Sequence, residues 1–347
     1  MQVSQARQIA RTWATTHGPD LPGFTGAYLA GSIVTMPDTA ELPPSSDVDL
    51  HIVIDDDDPP IKPGKFIHEG MLLEVSLIPH QAVQSPRDVL GNIHLSGCFR
   101  YPAILLDPTG ELARLHQIVA RDFAKREHVI RRCDTITAST RKALESVPVD
   151  RPFPDPMAIT NWLFPTGITT FILLAAGLRN PTVRKRYMAV REVLEGFDLL
   201  WEYEPLLALL GCGDWSPARV EQHLAALEPV FADAANLQRT PYAYASDISD
   251  AARPIVFDGS RELIAAGWHR EAVFWLVATW CRCLTILQAD APEAMQQHLP
   301  AFREMLAELG ITSNQALGQQ CRVVIDALPH IRAVADTIMQ RNSGIGS

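Results

Sequence analysis

Ala27-Tyr-Leu-Ala-Gly-Ser32, and then Ser46-Asp-Val-Asp-Leu-His-Ile-Val-Ile54, is the stretch on which the reading turns; fourteen residues separate Ser32 from Asp47. Phe24 to Ala30 and Val48 to Ile54 are short apolar runs bounded by Gly, Pro and Asp, which predicts strands. In a strand, residues two apart share a face, so Asp47 and Asp49 project together while Val48 and Leu50 point into a core. Two such acids repel each other unless a cation or a proton intervenes. An all-oxygen pair of this kind suits Mg²⁺ or Mn²⁺.

Met71-Leu-Leu-Glu-Val-Ser-Leu-Ile78 repeats the pattern, with Glu74 and Ser76 on one face and Leu73, Val75 and Leu77 on the other. If this strand neighbours the Asp47–Asp49 strand, Glu74 completes a three-carboxylate cluster able to hold two metal ions on a triphosphate, as in-line nucleotidyl transfer requires. Gly31 and Ser32, directly after a strand, offer close backbone approach and a hydroxyl donor to phosphate oxygens.

A Gly-Ser turn, a spacer, an Asp-x-Asp strand and a later acid in a strand resemble the DNA polymerase beta superfamily of nucleotidyltransferases. Within it, a small catalytic domain followed by helices is most similar to the antibiotic-modifying kanamycin, streptomycin and lincosamide nucleotidyltransferases. The motif covers Ala27 to Ile78, and the two-part plan extends the likeness over the chain. The resemblance implies that Asp47 and Asp49 bind metal, that Ser32 holds the triphosphate, and that Glu74 is a third ligand, the base towards an acceptor hydroxyl, or both. It implies two Mg²⁺ ions and ATP or another NTP as co-substrate. The spacer departs from the pattern, because Pro37, Pro43 and Pro44 stand where an Arg-Gly-containing loop is usual.

A chain of 347 residues predicts two domains, and 47% hydrophobic with 20% charged residues excludes a disordered one. The formal charge of −10 argues against tracking a nucleic-acid backbone, which needs clustered Lys and Arg. Six cysteines, Cys281 and Cys283 among them, form neither a disulfide framework nor a C-x-x-C zinc pattern, so a cytoplasmic location is expected. Ile168 to Ala176 is too short to span a bilayer and Val273 to Leu287 contains Arg282, so no membrane span is expected. Residues 1–19 lack acids, yet they lead straight into a strand and are taken as a first helix.

That helix is expected over Val3 to Thr16. Further strands are expected at Met71 to Ile78 and Ala103 to Leu106, with helices over Ser85 to Ile93 and Thr109 to about Cys133. Pro148, Pro152, Pro154 and Pro156 then mark a boundary. Beyond it, Met157 to Leu178, Val183 to Leu194, Pro217 to Leu237, Trp268 to Gln288 and Gln315 to Met339 have helical spacing. The fold class expected is therefore α+β, mixed over 1–147 and an all-α bundle over 148–347; the resemblance implies that the first is a nucleotidyltransferase domain with a mixed sheet and flanking helices and that the second binds the acceptor.

Asn180-Pro-Thr-Val-Arg-Lys-Arg-Tyr187 places cations at a helix start, where an anion would offset them, so Arg184 and Lys185 are candidates for the β- and γ-phosphates. Lys65 reads as an exposed loop lysine. Asp55 to Asp58 reads as a solvated turn, His51 shares the face of Asp49, the tryptophans read mostly as core, and Cys281 and Cys283 as packing residues. The expected activity is transfer of a nucleoside monophosphate, most simply AMP from ATP, to a hydroxyl of a small molecule such as an aminoglycoside, with release of pyrophosphate. The expected state is a monomer or homodimer. Adenylylation of a protein or a tRNA end, and a non-catalytic nucleotide-binding or antitoxin-like regulator, are the alternatives.

Overall fold

A computed structural model describes residues 1–43 and 45–346; Pro44, one of the spacer prolines, and Ser347 lie outside the described residues. Helix α1 (Val3–His17) precedes a five-stranded mixed sheet of β1 (Phe24–Ala30), β2 (Val48–Ile54), β3 (Gly64–His68), β4 (Met71–Pro79) and β5 (Ile104–Leu106), in the order β3-β4-β2-β1-β5. Strands β2 and β4 run parallel, and the other pairings are antiparallel. The chain is thus α+β.

Alternation along the strands decides which face each residue takes. Ala27, Leu29, Val48, Leu50, Ile52, Leu73 and Val75 pack beneath α1, against Val3, Ala6, Ile9, Ala10 and Ala14. Tyr28, Ala30 and Val53 face the other way. They meet α2 (Gln81–Gln84), α3 (Pro86–Gly91), α4 (Ile93–Phe99) and α5 (Glu111–Asp122) through Val83, Val89, Leu90, Phe99, Leu112, Leu115 and Val119.

The helical part comprises α6 (Arg126–Glu145), α7 (Pro156–Ala176), α8 (Arg186–Gly196), α9 (Tyr203–Ala208), α10 (Pro217–Leu237), α11 (Arg253–Val256), α12 (Asp258–Ala265), α13 (Val273–Asp290), α14 (Pro292–Glu308) and α15 (Asn314–Arg341). At its centre lies α7, which is long and apolar enough to cross a membrane, although 72% of its most apolar stretch is buried inside the protein. Packing against α6, α13 and α15 makes it a core helix. Trp162 and Trp280 are fully buried, whereas Trp201 is 66% exposed, and all six cysteines are buried thiols.

Several expectations are corrected. The hairpin strand β3 was not anticipated: its turn is Glu69-Gly70, with φ of 47° and 75°, and Glu stands where Asn or Asp usually signals such a turn. Lys65 is accordingly a strand residue, not an exposed loop lysine, and its side chain is only 9% exposed. The helix expected over Ser85 to Ile93 is two helices, because Asn92 is extended and its side chain accepts from the His94 and Leu95 amides to start a new one. The helix expected from Thr109 starts at Glu111 and breaks before α6, where Lys125 is extended. Helix α8 begins at Arg186 rather than Val183, so Arg184 lies in the preceding turn and Lys185 at the N-cap. Helix α13 begins at Val273 rather than Trp268, and α14, with Pro292 in its first turn and Pro300 inside it, was unanticipated.

Helix α6 packs away from the sheet. Val129, Cys133, Ile136, Leu144 and Val147 share one buried cluster with α7 and α15, so α6 packs with the bundle although it precedes residue 148. The last strand, β5, ends at Leu106, and α5 still packs on the sheet.

Leu50 is fully buried at the centre of the sheet. Leu50→Ala should destabilise the protein by about 2–5 kcal/mol, read as a lower urea midpoint by circular dichroism, while Trp201→Ala should leave the midpoint unchanged.

Candidate active site

The register of the strands builds the site. Ala30 pairs with Asp49, Asp49 with Glu74, and Glu74 with Lys65, so one row of directly opposed residues crosses β1, β2, β4 and β3. Directly paired residues share a face of the sheet. Asp49, Glu74 and Lys65 therefore project together on the face away from α1, and Asp47 joins them from the start of β2. One carboxylate oxygen from each of Asp47, Asp49 and Glu74 lies within 4.8 Å of the others.

Gly31 makes the cluster possible. Its φ of +65° is in the region that L side chains rarely adopt, and a Cβ there would stand 1.9 Å from Asp49 Oδ2. The sequence reading gave this glycine to a phosphate; the space it leaves is filled by a carboxylate. Ser32 follows it, exposed, at the start of a single 3₁₀ turn over Ser32–Val34.

Like charges at this separation need cations, and the chain supplies them. Lys65 Nζ donates to Asp47 Oδ2 and Glu74 Oε2, and lies 3.5 Å from Asp247 Oδ1 in the turn Ala245–Asp247. Lys62 Nζ donates to Glu74 Oε1. Arg282, on α13, reaches Asp247 Oδ2 at 3.0 Å. Asp47, Glu74 and Asp247 thus each face a cation.

Asp49 is the least compensated acid. Burial, then the charges of Asp47 and Glu74, push its pKa up to about 8, with Lys65 and Lys62 offsetting only part of this. For Glu74, burial would raise the pKa, but the Lys65 and Lys62 ammonium groups outweigh it and hold the group down at about 2. Lys65 is held above its usual value, because Asp47, Glu74 and Asp247 outweigh the effect of burial. Behind Asp49, His51 shares a 3.1 Å hydrogen bond with the Tyr28 hydroxyl, and burial pushes it down to about 4, so it is neutral near pH 7.

The cations of the 180–187 segment divide. Arg184 lies against Gly259, in the field of Asp47 and Glu262; both terminal nitrogens are buried without a hydrogen-bond partner among the described residues, and burial pushes its pKa down to about 10. A guanidinium in that condition has buried donors left unsatisfied. Lys185 faces solvent. Arg186 is buried between the rings of Phe171 and Phe274, 5.1 and 3.9 Å from their centroids, and serves packing.

No family model matches the chain, and neither does any curated protein. Among solved structures it is similar to a nucleotidyltransferase-like protein from Exiguobacterium sibiricum 255-15, with 13% identity over 76% of this chain and 92% of that one, and a TM-score of 0.31. A likeness of that size carries no argument, so function rests on the residues themselves.

Sequence reading missed Lys62, Lys65, Asp247 and Arg282. The two lysines flank Pro63-Gly64, and their place follows only once the hairpin is known. No local signal ties Asp247 or Arg282 to residues some 200 positions earlier.

Three clustered carboxylates form a hard-oxygen donor set, and the Gly31 cradle leaves Asp49 room within it, so the residues present fit a divalent ion. Gly31→Ala should push Asp49 out of the row. Mn²⁺ affinity, measured by electron paramagnetic resonance, should fall by about tenfold or more, with a lower melting temperature; unchanged affinity would remove Gly31 from the site.

Proposed function

We propose that this protein is a metal-dependent nucleotidyltransferase that moves a nucleoside monophosphate, most simply AMP from ATP, to a hydroxyl of a small molecule. The observation that carries this reading is the row that sets Asp49 beside Glu74, with Asp47 on the same face. Asp47 and Asp49 would hold the ions, with Glu74 as the third ligand. Bound Mg²⁺ would neutralise triphosphate oxygens and lower the pKa of the attacking hydroxyl.

The chain's residues take the remaining roles. Ser32, which follows the glycine packed on Asp49, would offer its hydroxyl to the triphosphate, and Arg184 its two unpartnered nitrogens to the β- and γ-phosphates, with Lys185 exposed beside it. The acceptor oxygen bonds to the α-phosphorus as the α–β bridging bond breaks, the hydroxyl proton passes to solvent water, and pyrophosphate leaves. Glu74, clamped by two ammonium groups, is a poor store for a proton and suits holding cations better than acting as the base. A hydroxyl-bearing antibiotic of the aminoglycoside or lincosamide kind, held between sheet and bundle, is the acceptor class we favour, in a cytoplasmic protein working as a monomer or homodimer without nucleic acid or membrane.

The lysines on the triad favour a second reading, in which the fold binds nucleotide without turnover. α-Labelled ATP with Mg²⁺ and a panel of aminoglycosides and lincosamides separates the two: labelled acceptor plus pyrophosphate supports transfer. Asp47→Asn with Asp49→Asn should then reduce the rate by about 10³-fold or more, and Arg184→Ala should raise the KM for the nucleotide about tenfold. Transfer undiminished in the double variant would overturn the assignment.

A further inference from the structure

Lys65 touches acids from both parts of the molecule. Its ammonium bonds Asp47 and Glu74 within the sheet, and its third neighbour, Asp247 at 3.5 Å, belongs to the helical part. Asp247 is itself fixed. Arg282 holds its other oxygen at 3.0 Å, and the Arg282 guanidinium lies over the rings of Tyr244 and Trp275, 4.8 and 4.9 Å from their centroids. Nothing spaces this turn from the strand: a Cβ on Gly64, the first residue of β3, would stand 2.2 Å from Ser246 Oγ.

We propose that Lys65 is a mobile counter-ion, which neutralises the triad until a divalent ion arrives and is then handed to Asp247, so that ion entry is coupled to the contact between β3 and the helical part. The inference rests on the reading of the triad as a divalent-ion site. A divalent ion and an ammonium group compete for the same oxygens of Asp47 and Glu74. Once displaced, the ammonium needs another acid, because a buried unpaired charge is costly. Asp247 is already beside it and stays in place because Arg282 and the aromatic rings hold it. Lys65 is thus a positioning residue, acting through the triad and not on the reacting atoms, and Asp247 is its receiver.

The test is Mn²⁺ binding to the full chain, followed by electron paramagnetic resonance without nucleotide or acceptor. Lys65→Met should bind Mn²⁺ about tenfold more tightly than the unaltered protein, because no ammonium competes. Asp247→Asn should bind it several-fold more weakly. In the double variant the Asp247→Asn effect should vanish, since there is no ammonium left to receive. Lys65→Gln, which keeps a hydrogen-bonding group, serves if Lys65→Met does not fold, and should also tighten binding.

Unchanged or weaker binding in the Lys65 variants overturns the counter-ion role. An Asp247→Asn loss of equal size with and without Lys65 overturns the hand-over, because Asp247 would then act only through its charge. If the unaltered protein binds no Mn²⁺ while Lys65→Met does, the counter-ion role stands and the transfer reading fails. If neither binds, both fail.

Discussion

Three carboxylates placed by strand register on one patch of a sheet constitute the constraint from which the rest of the site follows. Mutual repulsion and partial burial make such a cluster unfavourable in isolation, so cations must accompany it. Lys65 does so from β3, an edge strand, and Lys62 from the segment just before it. The charges that make the site also hold that strand against β4 and link it, through Asp247, to Arg282 of the bundle. Stability and chemistry draw on the same ion pairs.

Geometry at Gly31 shows how narrowly the cluster is built. A sheet can place acids in one row only if the backbone at the end of β1 gives way, and a glycine with positive φ supplies that room. The apolar residues in between, Val48, Leu50, Leu73 and Val75, do the complementary task on the opposite face, where burial against α1 fixes the register. A slip by one residue would send the carboxylates into that core. Hydrophobic burial on one face therefore fixes the charges on the other.

Much of this was legible because period-two alternation is strong where a strand is buried on one side. Strands β1 and β2 fall where the alternation puts them; Asp47 and Asp49 share a face as their spacing implied, and Glu74 joins them because β4 pairs with β2. Lys65 was not legible as a site residue, since β3 is short, only partly buried, and closed by a Glu-Gly turn that carries a weak local signal. Asp247 and Arg282 depend on tertiary packing of the bundle against the sheet. Helix boundaries failed where a side chain overrode periodicity, as Asn92 does by capping a new helix. The basic run at 184–186 reads as one patch in sequence, yet one member is buried beside Gly259, one faces solvent and one enters an aromatic sandwich.

The most direct measurement is anomalous diffraction from crystals soaked with Mn²⁺ and a non-hydrolysable ATP analogue. The account predicts a Mn²⁺ peak within about 2.3 Å of carboxylate oxygens of Asp47 and Asp49, with the triphosphate beside Ser32 and Arg184. A peak elsewhere, or none, with the Lys65 ammonium still bonded to Asp47 and Glu74, would contradict it.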